Sequence, residues 1–264
     1  MQKMSERNDK KTKSIDFNCD LAQGFGIYKN TSEYEFLDYV SSVNISAGLH
    51  CGDPLTIREA LLKAKEKNVV IGANIGFNDL QGFGMREMEL NNEEIEALVL
   101  YQIGAISAMA KAYSLEVEYV RLHGAMYKKA AKDFEFSLAI ANAIKKYSKW
   151  MSYVGQANET LDKVAETAQI PIVKEIQLSK NYNADKSINY EIEDILDVNT
   201  LRLRFQKYIN YSQLTATDGS VFEMTADTIH FVTNDVSLEL LKSISSIYPP
   251  LPVNYMKAQA SGWV

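Results

Sequence analysis

The stretch that decides the fold of this chain reads Val43-Asn44-Ile45-Ser46-Ala47-Gly48-Leu49-His50-Cys51-Gly52-Asp53-Pro54. Its first part, Val43 to Ser46, is a short apolar run of the kind that forms a buried β-strand. Its end is typical of a helix start, because aspartate caps a helix and proline suits the first helical position. A strand that passes through a glycine-containing turn into a helix predicts an α/β fold, in which functional groups gather where the strands end.

The same alternation of strand and helix continues along most of the chain. Apolar and β-branched runs predict further strands within residues 14–20, 69–73, 119–122, 151–154, 172–176 and 228–232. The spacing of apolar residues predicts helices within residues 54–67, 91–110, 133–147 and 159–168, and a shorter one within 32–40. Such alternation predicts a parallel sheet with right-handed crossovers, either an open doubly wound sheet or a closed barrel.

Two segments interrupt this alternation, and the two ends of the chain differ from its middle. Residues 179–199 are a polar insertion that we interpret as a loop or lid, and Thr217-Asp218-Gly219-Ser220 is a turn signal that predicts a small hairpin. Residues 1–13 are polar and mostly charged, which predicts a flexible N-terminal tail. Residues 14–248 are predicted to form a single domain, followed by a C-terminal extension at 249–264.

The composition limits the class of partner. The chain has 264 residues, of which 46% are hydrophobic, and its formal net charge is -6. Nucleic acids and anionic membranes bind proteins through a concentrated basic face, which an acidic composition argues against. Neither is therefore predicted as a partner. No apolar run is expected to reach a membrane-spanning length, and residues 1–13 lack the apolar core of a secretory signal, which predicts a cytoplasmic protein.

Several common catalytic motifs are absent from the sequence. The glycine-rich segment from Gly76 to Gly84 contains no Lys-Ser or Lys-Thr, and nothing in the chain fits the Walker phosphate-binding pattern. There is neither a G-x-S-x-G nucleophile elbow nor a cysteine pair with zinc-binding spacing. We interpret Cys19 and Cys51 as buried thiols, and whether they meet across one site stays open.

Polar residues recur where the predicted strands end. This set comprises Asn18, Asp20, Asn44, His50, Asp53, Asn74, Asp79, His123 and Asp235. Because the carboxyl ends of parallel strands meet at one edge, these side chains are expected to face a common site. The chain has 3 histidines: His50 and His123 are candidates for proton transfer, whereas His230 lies inside a strand and is interpreted as structural. The competing interpretation is that each histidine caps a turn and that Asp53 only caps its helix.

A series of ordered motifs resembles those of a known family. Residues 18–26 resemble N-A-D-L-G-E-G-F-G, residues 44–53 resemble A-N-I-A-C-G-F-H-A-G-D, residues 72–84 resemble G-A-H-P-G-Y-P-D-L-Q-G-F-G, and residues 122–127 resemble P-H-G-A-L-Y. Shorter matches at residues 101–105, 130–133 and 215–219 follow in the same order. Over most of residues 14–235 the chain therefore resembles the LamB/YcsF family, as a divergent member.

The resemblance implies a fold and an activity. The implied fold is a seven-stranded β/α barrel of the kind shared with polysaccharide deacetylases and some glycoside hydrolases. The implied activity is ATP-dependent opening of the lactam of 5-oxoproline to L-glutamate, in which the family member provides the A component of a 5-oxoprolinase and works with B and C partner subunits. ATP would then be a co-substrate of the complex, while a divalent metal and a homo-oligomer are left open.

The resemblance also implies roles for particular residues of this sequence. Asp20 would act on water or hold the ring amide, and His50 and His123 would transfer protons or polarise the carbonyl. The residues expected to contact the substrate are Asn18, Asn44, Asp53, Asn74, Asp79 and Gln81. An unstrained lactam resists water, so its carbonyl must be activated and its leaving nitrogen protonated, which such a set of groups could do.

The chain departs from the family pattern at several positions. Gln23 stands where the family has Glu, Asn74 where it has His, and Ile75 where it has Pro. Further on, Ser179-Lys180 replaces Asp-Arg, and Thr233-Asn234-Asp235 replaces His-Gly-Asp. Gln and Asn keep their hydrogen bonding but cannot exchange protons, so a reaction that needed those groups would slow by about 100-fold or more for each.

Two other functions stay open at this point. One is a metal-dependent amide hydrolase or deacetylase that uses Asp20, His50 and His123 as ligands, since three ligands with open positions lower the pKa of a bound water. The other is a family member that binds a small amide or a partner protein without catalysis, having lost its proton-transfer groups.

Overall fold

The structure is a computed structural model, and it describes residues 15–253. The flexible tail predicted for residues 1–13 lies outside the described residues, and so does the predicted C-terminal extension from residue 254 onward. The parallel strands at the centre are β1 (Asp16–Leu21), β2 (Ser42–Ser46), β3 (Val70–Ile75), β4 (Tyr119–Leu122), β5 (Ser152–Gln156), β6 (Ile172–Gln177) and β11 (Thr228–Phe231).

These strands close on themselves. Their order around the sheet is β1, β11, β6, β5, β4, β3 and β2, and β2 pairs with β1 again. Each neighbouring pair is parallel. Residues 15–253 thus contain a closed barrel of seven strands, which confirms the predicted β/α barrel and excludes the open sheet.

Helices cover the outside of the barrel. They are α1 (Pro54–Lys67), α2 (Asn92–Ala112), α3 (Gly124–Ala130), α4 (Phe134–Tyr147), α5 (Glu159–Ala168), α6 (Val198–Tyr211) and α7 (Asp235–Ile244), with a 3-10 helix at Thr31–Asp38. The sequence predicts the short 3-10 segment and α1, α2, α4 and α5, but not α3, α6 or α7. α3 has only 7 residues, which is too short for a clear apolar pattern. α6 buries Leu201, Phe205 and Tyr208, and their helical spacing could have predicted this helix from the sequence.

Within residues 15–253, side-chain caps hold the starts of six of these α-helices, and the caps of α1 and α2 lie at helix starts that the sequence predicts. Asp53 accepts hydrogen bonds from the backbone N–H groups of Leu55 (2.9 Å) and Thr56 (3.0 Å), as the sequence predicts. Asn91 and Glu94 form a reciprocal capping box at the start of α2. These bonds satisfy donors that the first helical turn leaves free, which is why short-range sequence signals located both helix starts.

Small antiparallel hairpins lie outside the barrel. β9 (Gln213–Thr215) pairs with β10 (Val221–Glu223), and the predicted turn lies between them. β7 (Asn181–Tyr182) pairs with β8 (Ile188–Asn189) within the polar insertion. The insertion is therefore more than a loop, since it contains its own hairpin and also the start of α6.

Polar side chains fill much of the barrel interior. Asn18 on β1 donates a hydrogen bond to Glu175 on β6 (3.2 Å), and since these strands are not neighbours, the bond crosses the interior. On the opposite face of β1, Phe17 packs edge-on against Phe205 of α6. The interior of such barrels is more often filled by Val, Ile and Leu, so the polar filling of this barrel is a departure from the usual packing.

Helix α2 contradicts the prediction that no apolar run reaches a membrane-spanning length. Among the described residues it is the one helix that is long and apolar enough to cross a membrane by length and composition, although no such run was expected. Its apolar stripe, which includes Ile95, Val99 and Ile103, is buried in the core. The length and apolar character of α2 are thus partly explained by its packing against the barrel and α4.

Candidate active site at the barrel mouth

A cavity of about 260 Å³ lies at the carboxyl ends of the barrel strands. It is lined by Asp20, Gln23, Phe83, Met85, Arg121, His123, Gly124, Tyr127, Lys128, Gln177, Lys180, Tyr190, Asp194, His230, Val232 and Thr233. A larger depression of about 580 Å³ lies elsewhere on the surface and contains none of the predicted site residues. The smaller cavity is the better candidate, because titratable groups converge there.

Asp20 lies near the end of β1 and is only 6% exposed. Its Oδ1 accepts a hydrogen bond from Asn44 (2.9 Å) and lies 3.4 Å from a guanidinium nitrogen of Arg121, while its Oδ2 lies 3.5 Å from Nδ1 of His123. Burial alone would raise the pKa of Asp20. The charge of Arg121 and the two neighbouring histidines outweigh burial and hold that pKa well below its usual range, so the carboxylate is ionised at neutral pH.

Arg121 and Glu175 are site residues that sequence reasoning missed. Both are buried, and the guanidinium of Arg121 donates to both carboxylate oxygens of Glu175, at 2.8 and 2.9 Å. The remaining nitrogen of Arg121 faces Asp20. The sequence did contain a sign of their role, because Arg121 and Glu175 each lie within a short predicted strand. A charge buried in a strand is costly unless it is paired, so an ion pair between two strands could have been expected.

His123 directly follows β4 and occupies the N-cap position of α3. Its Nε2 lies 2.9 Å from the backbone carbonyl oxygen of Phe83. A carbonyl oxygen can only accept a hydrogen bond, so Nε2 carries hydrogen and donates. Nδ1, which faces Asp20, is therefore the atom through which His123 can gain or lose a proton.

His230 has a structural contact and also lines the cavity. The amide nitrogen of Asn18 donates to Glu175 and Thr228, so its oxygen is the acceptor for Nδ1 of His230 at 2.8 Å. Burial, together with Arg121, lowers the pKa of His230 to about 4. The ring is therefore neutral at pH 7 and carries an unprotonated Nε2. His230 thus makes the structural contact predicted from the sequence and, in addition, has a nitrogen that can accept a hydrogen bond.

His50 lies beside His123 but is not among the residues that line the cavity. The two rings are stacked, with centroids 4.3 Å apart and an interplanar angle of 12°. Neither nitrogen of His50 has a hydrogen-bond partner within residues 15–253. Burial and the neighbouring His123 lower the pKa of His50 well below its usual value. The structure thus presents His50 as a neutral stacking partner of His123.

The three asparagines predicted for the site are all buried, but their environments differ. Asn44 donates to Asn18 (2.8 Å) and to Asp20, and it accepts from the hydroxyl of Tyr119 (2.8 Å). Asn74 makes no side-chain hydrogen bond to any residue in the described range 15–253. Two of the asparagines therefore form a scaffold beneath Asp20, and the third has unmatched polar atoms.

Four other predicted residues lie outside the cavity lining. Asp53 caps α1, and Asp79 forms an ion pair with Arg86 in the loop after β3. Gln81 and Asp235 are exposed. The structure therefore separates all four from Asp20. The buried carboxylate of Asp79 holds the loop after β3, and the half-buried carboxylate of Asp53 holds the start of α1.

Two of the departures from the family pattern contact each other. Gln23 donates from Nε2 to the hydroxyl of Thr233 (3.1 Å), and that hydroxyl donates to the backbone oxygen of Asp20 (3.0 Å). Both side chains line the cavity. A neutral pair that can neither gain nor lose a proton near neutral pH stands where the resemblance implies a glutamate and a histidine.

The polar insertion forms one wall of the cavity. Lys180 and Asp194, which form an ion pair at 2.6 Å, both line it. Tyr190 lines it as well, and its ring centroid lies 4.4 Å from Nζ of Lys128 on α3. The segment interpreted as a loop or lid thus contributes side chains directly to the cavity.

The predicted metal ligands do not fit a metal site. Within residues 15–253, no group of three or more His, Cys, Asp or Glu side chains is placed to hold a metal ion. Asp20 approaches His123, but His50 stacks face to face on His123 instead of pointing a nitrogen at the same place. Zinc sites need nitrogen or oxygen atoms that converge on one point, so no step is assigned to a metal.

Both cysteines are free and buried. The thiol of Cys51 lies 3.0 Å from the hydroxyl of Ser46 and donates to it. Burial raises the pKa of Cys19 and of Cys51. Both thiols are therefore protonated at neutral pH, and neither is placed to act as a nucleophile.

The fold and the site define a class of protein: a parallel β/α barrel with a cavity at the carboxyl ends of its strands that is lined by Asp20, His123 and His230. Comparison with known proteins narrows this class. Residues 15–248 match the model of the LamB/YcsF family, and the chain belongs to that family.

Individual relatives agree with this assignment. A protein from Campylobacter jejuni (strain 81-176) that is named as the A subunit of 5-oxoprolinase is 34% identical over 234 residues, which cover 87% of this chain and 92% of the relative. A protein of the same name from Bacillus cereus (strain AH820) is 41% identical over 182 residues, covering 69% and 72% of the two chains. The crystal structure of the lactam utilization protein from Thermus thermophilus matches with a TM-score of 0.83 and 32% identity, over 89% of this chain and 97% of that one.

Proposed function

We propose that the protein is the A subunit of a 5-oxoprolinase, which opens the lactam of 5-oxoproline to L-glutamate in an ATP-dependent reaction with B and C partner subunits. The observation that carries the proposal is the grouping of Asp20, His123 and His230 at one cavity, in a chain whose relatives are named for this activity. A cavity of about 260 Å³ suits a small cyclic amide better than a polymer.

The chemistry of the proposed reaction matches the available atoms. Water must add to the carbonyl carbon, the C–N bond must break, and the ring nitrogen must gain a proton. In the proposed mechanism, protonated His123 gives the proton on Nδ1 to the leaving nitrogen, and the adjacent Asp20 carboxylate stabilises that imidazolium. His230, which is neutral, takes at Nε2 the proton that the attacking water releases, and Arg121 holds Asp20 in position.

ATP enters as a co-substrate of the assembled enzyme. Phosphorylation of the amide oxygen, with release of ADP, would make the carbonyl carbon more reactive toward water and would provide the activation that an unstrained lactam needs. Addition of water and cleavage of the C–N bond would then give an acyl phosphate, and a second water would release inorganic phosphate from it and leave the carboxylate of L-glutamate. Since the sequence has no Walker pattern, we assign no residue of this chain to ATP.

A coupled assay with the B and C proteins from the same source tests the proposal. Given 5-oxoproline and ATP, the three proteins together are expected to form L-glutamate and to turn over ATP, and omission of any one of them should stop glutamate formation. The proposal is wrong if three folded proteins produce neither glutamate nor ADP.

The contact between Gln23 and Thr233 favours a second candidate function. Because that pair and Asn74 cannot exchange protons near neutral pH, the protein would bind a small amide or a partner without turning it over. In this case calorimetry detects binding of the lactam to the wild-type chain, while the coupled assay with all three proteins forms no L-glutamate.

A further inference from the structure

One wall of the cavity carries hydrogen-bond donors that lack acceptors. Tyr127 and Lys128 on α3 and Tyr190 in the insertion all line it. The hydroxyls of Tyr127 and Tyr190 are buried and have no hydrogen-bond partner within the described residues. The ammonium of Lys128 lies over the ring of Tyr190, and within the same part of the chain it has no carboxylate in ion-pair distance.

The other cations of the cavity already have partners. Lys180 is paired with Asp194 at 2.6 Å, and Arg121 is held by Glu175. Burial and the nearby charge of Lys180 lower the pKa of Lys128, and Asp194 offsets this in part. An anion bound beside Lys128 would stabilise its charged form.

We propose that Tyr127, Lys128 and Tyr190 form a subsite that binds the carboxylate of the lactam substrate. The inference rests on the proposed function, in which the substrate carries a carboxylate. It adds to that function the identity of the side chains that recognise the carboxylate. A carboxylate has acceptor oxygens only, so it matches one ammonium group and two phenol donors.

The subsite also explains how a substrate would be oriented. Lys128 follows His123 by five residues, a helical rise of about 7.5 Å. Lys128, Asp20 and His123 line the same cavity, so a ligand whose carboxylate is held at Lys128 has its ring in the space that these groups share. We expect the ring amide, the part that reacts, to lie beside His123.

Binding to the full-length chain, measured by calorimetry, tests this subsite. The probes are 5-oxoproline and 2-pyrrolidinone, which is the same lactam without the carboxylate, together with inorganic phosphate. We expect the wild type to bind 5-oxoproline about 10-fold or more tighter than 2-pyrrolidinone, because hydrogen bonds to a charged group are worth that much. Lys128→Met and Tyr127→Phe are each expected to remove most of this preference and to leave binding of 2-pyrrolidinone unchanged.

Two control variants accompany the test. Lys132→Met removes an exposed lysine just beyond α3 and is expected to bind like the wild type. Lys128→Arg keeps the charge and is expected to keep most of the preference for the carboxylate. Circular dichroism and thermal melting of each variant establish that it is folded before its affinity is compared.

The possible outcomes separate this inference from the proposed function. If Lys128→Met and Tyr127→Phe bind 5-oxoproline as tightly as the wild type, the subsite is wrong, and the coupled assay still decides the function. If the wild type binds neither lactam but binds phosphate, and Lys128→Met loses that binding, the anion held is not a lactam carboxylate and the subsite is wrong. The subsite is also wrong if the folded wild type binds none of the three probes, and in both cases the coupled assay decides the function.

Discussion

At the scale of single residues, hydrogen bonds already made within the protein decide which atoms remain for a ligand. Nε2 of His123 donates to the Phe83 carbonyl, and Nδ1 of His230 is bonded to Asn18. One nitrogen of each ring is thereby left for proton exchange or for binding water. The ionised carboxylate of Asp20 lies within 4.0 Å of a nitrogen of both rings, so a change at Asp20 should disturb both of them.

We expect Asp20→Asn to lower the turnover of the coupled reaction by about 100-fold or more. The reason is that a neutral amide cannot stabilise a protonated His123 as a carboxylate does. Initial rates of glutamate formation measure the effect. Asp235→Asn is the matched control, because Asp235 is exposed in the first turn of α7 and its loss should leave the rate unchanged. Equal rates for Asp20→Asn and wild type would contradict the assigned role.

The unpartnered amide of Asn74 leads to a prediction about stability. We expect Asn74→Leu to raise the free energy of unfolding by about 1 to 3 kcal/mol, because the substitution removes buried polar atoms that have no partner in residues 15–253. Urea denaturation measures the change.

Asn18→Leu is the control for this experiment, since the same substitution there removes an amide with four hydrogen-bond contacts. It is expected to lower the free energy of unfolding by about 3 kcal/mol or more. Similar destabilisation by both variants would show that Asn74 does have a partner in solution.

At the scale of elements, the 3-10 helix holds the loop that follows β1. Glu33 on this helix is 1% exposed and accepts hydrogen bonds from the backbone N–H groups of Ala22 (2.9 Å) and Gln23 (3.2 Å). Ala22 has a φ of 61°, in the left-handed region that favours glycine. The carboxyl group of Glu33 therefore holds a turn with an unfavourable backbone conformation directly beside a cavity-lining residue.

Glu33 should make the stability of the protein depend on pH. Burial raises its pKa from an ordinary 4.5 to about 7. A carboxyl group with a higher pKa in the folded chain binds more protons when folded, so its contribution is fully present below pH 4.5 and is lost as the pH rises toward 7. Relative to Glu33→Gln, the wild type should lose on the order of 3 kcal/mol of unfolding free energy across that range.

Urea denaturation of both proteins at a series of pH values measures this difference. Glu239→Gln, which changes an exposed glutamate on α7, serves as the control and should follow the wild type at every pH. A difference between wild type and Glu33→Gln that stays constant with pH would show that Glu33 does not titrate in this range.

At the scale of the whole molecule, a buried ionic network connects strands across the barrel. Arg121 on β4 contacts Glu175 on β6 and Asp20 on β1, and Asn18 joins β1 to β6 a second time. These contacts join segments far apart in sequence. The network therefore couples the site to the closure of the barrel.

A double-mutant cycle measures this coupling. Arg121→Met should destabilise the protein by about 3 to 5 kcal/mol, because it leaves the Glu175 carboxylate buried without its partner. Adding Glu175→Gln removes that uncompensated charge, so the double variant should lose clearly less than the two single variants summed. The exposed pair Lys146 and Glu96 is the control, and its variants should be nearly additive. Additive losses at Arg121 and Glu175 would contradict a tightly coupled pair.

Much of the fold could be predicted because it depends on residues close together along the chain. The Asp53 cap and the Asn91 capping box form within one helical turn, and the alternation of strands and helices follows from apolar spacing. The approach of Asp20 to His123 could also be expected, since both lie where parallel strands end. The open sheet and the closed barrel could not be separated from the residue pattern alone.

The alternation of strands and helices, the family motifs and the edge of the sheet where polar groups gather all follow from the pattern of residues along the chain. Which of those groups meet follows from the folded barrel, which adds Arg121, Glu175 and His230, stacks His50 on His123, and leaves Asp53 as the cap of α1. Side chains meet across a closed barrel according to strand order and register. These are set by pairing between distant segments, which no local periodicity encodes.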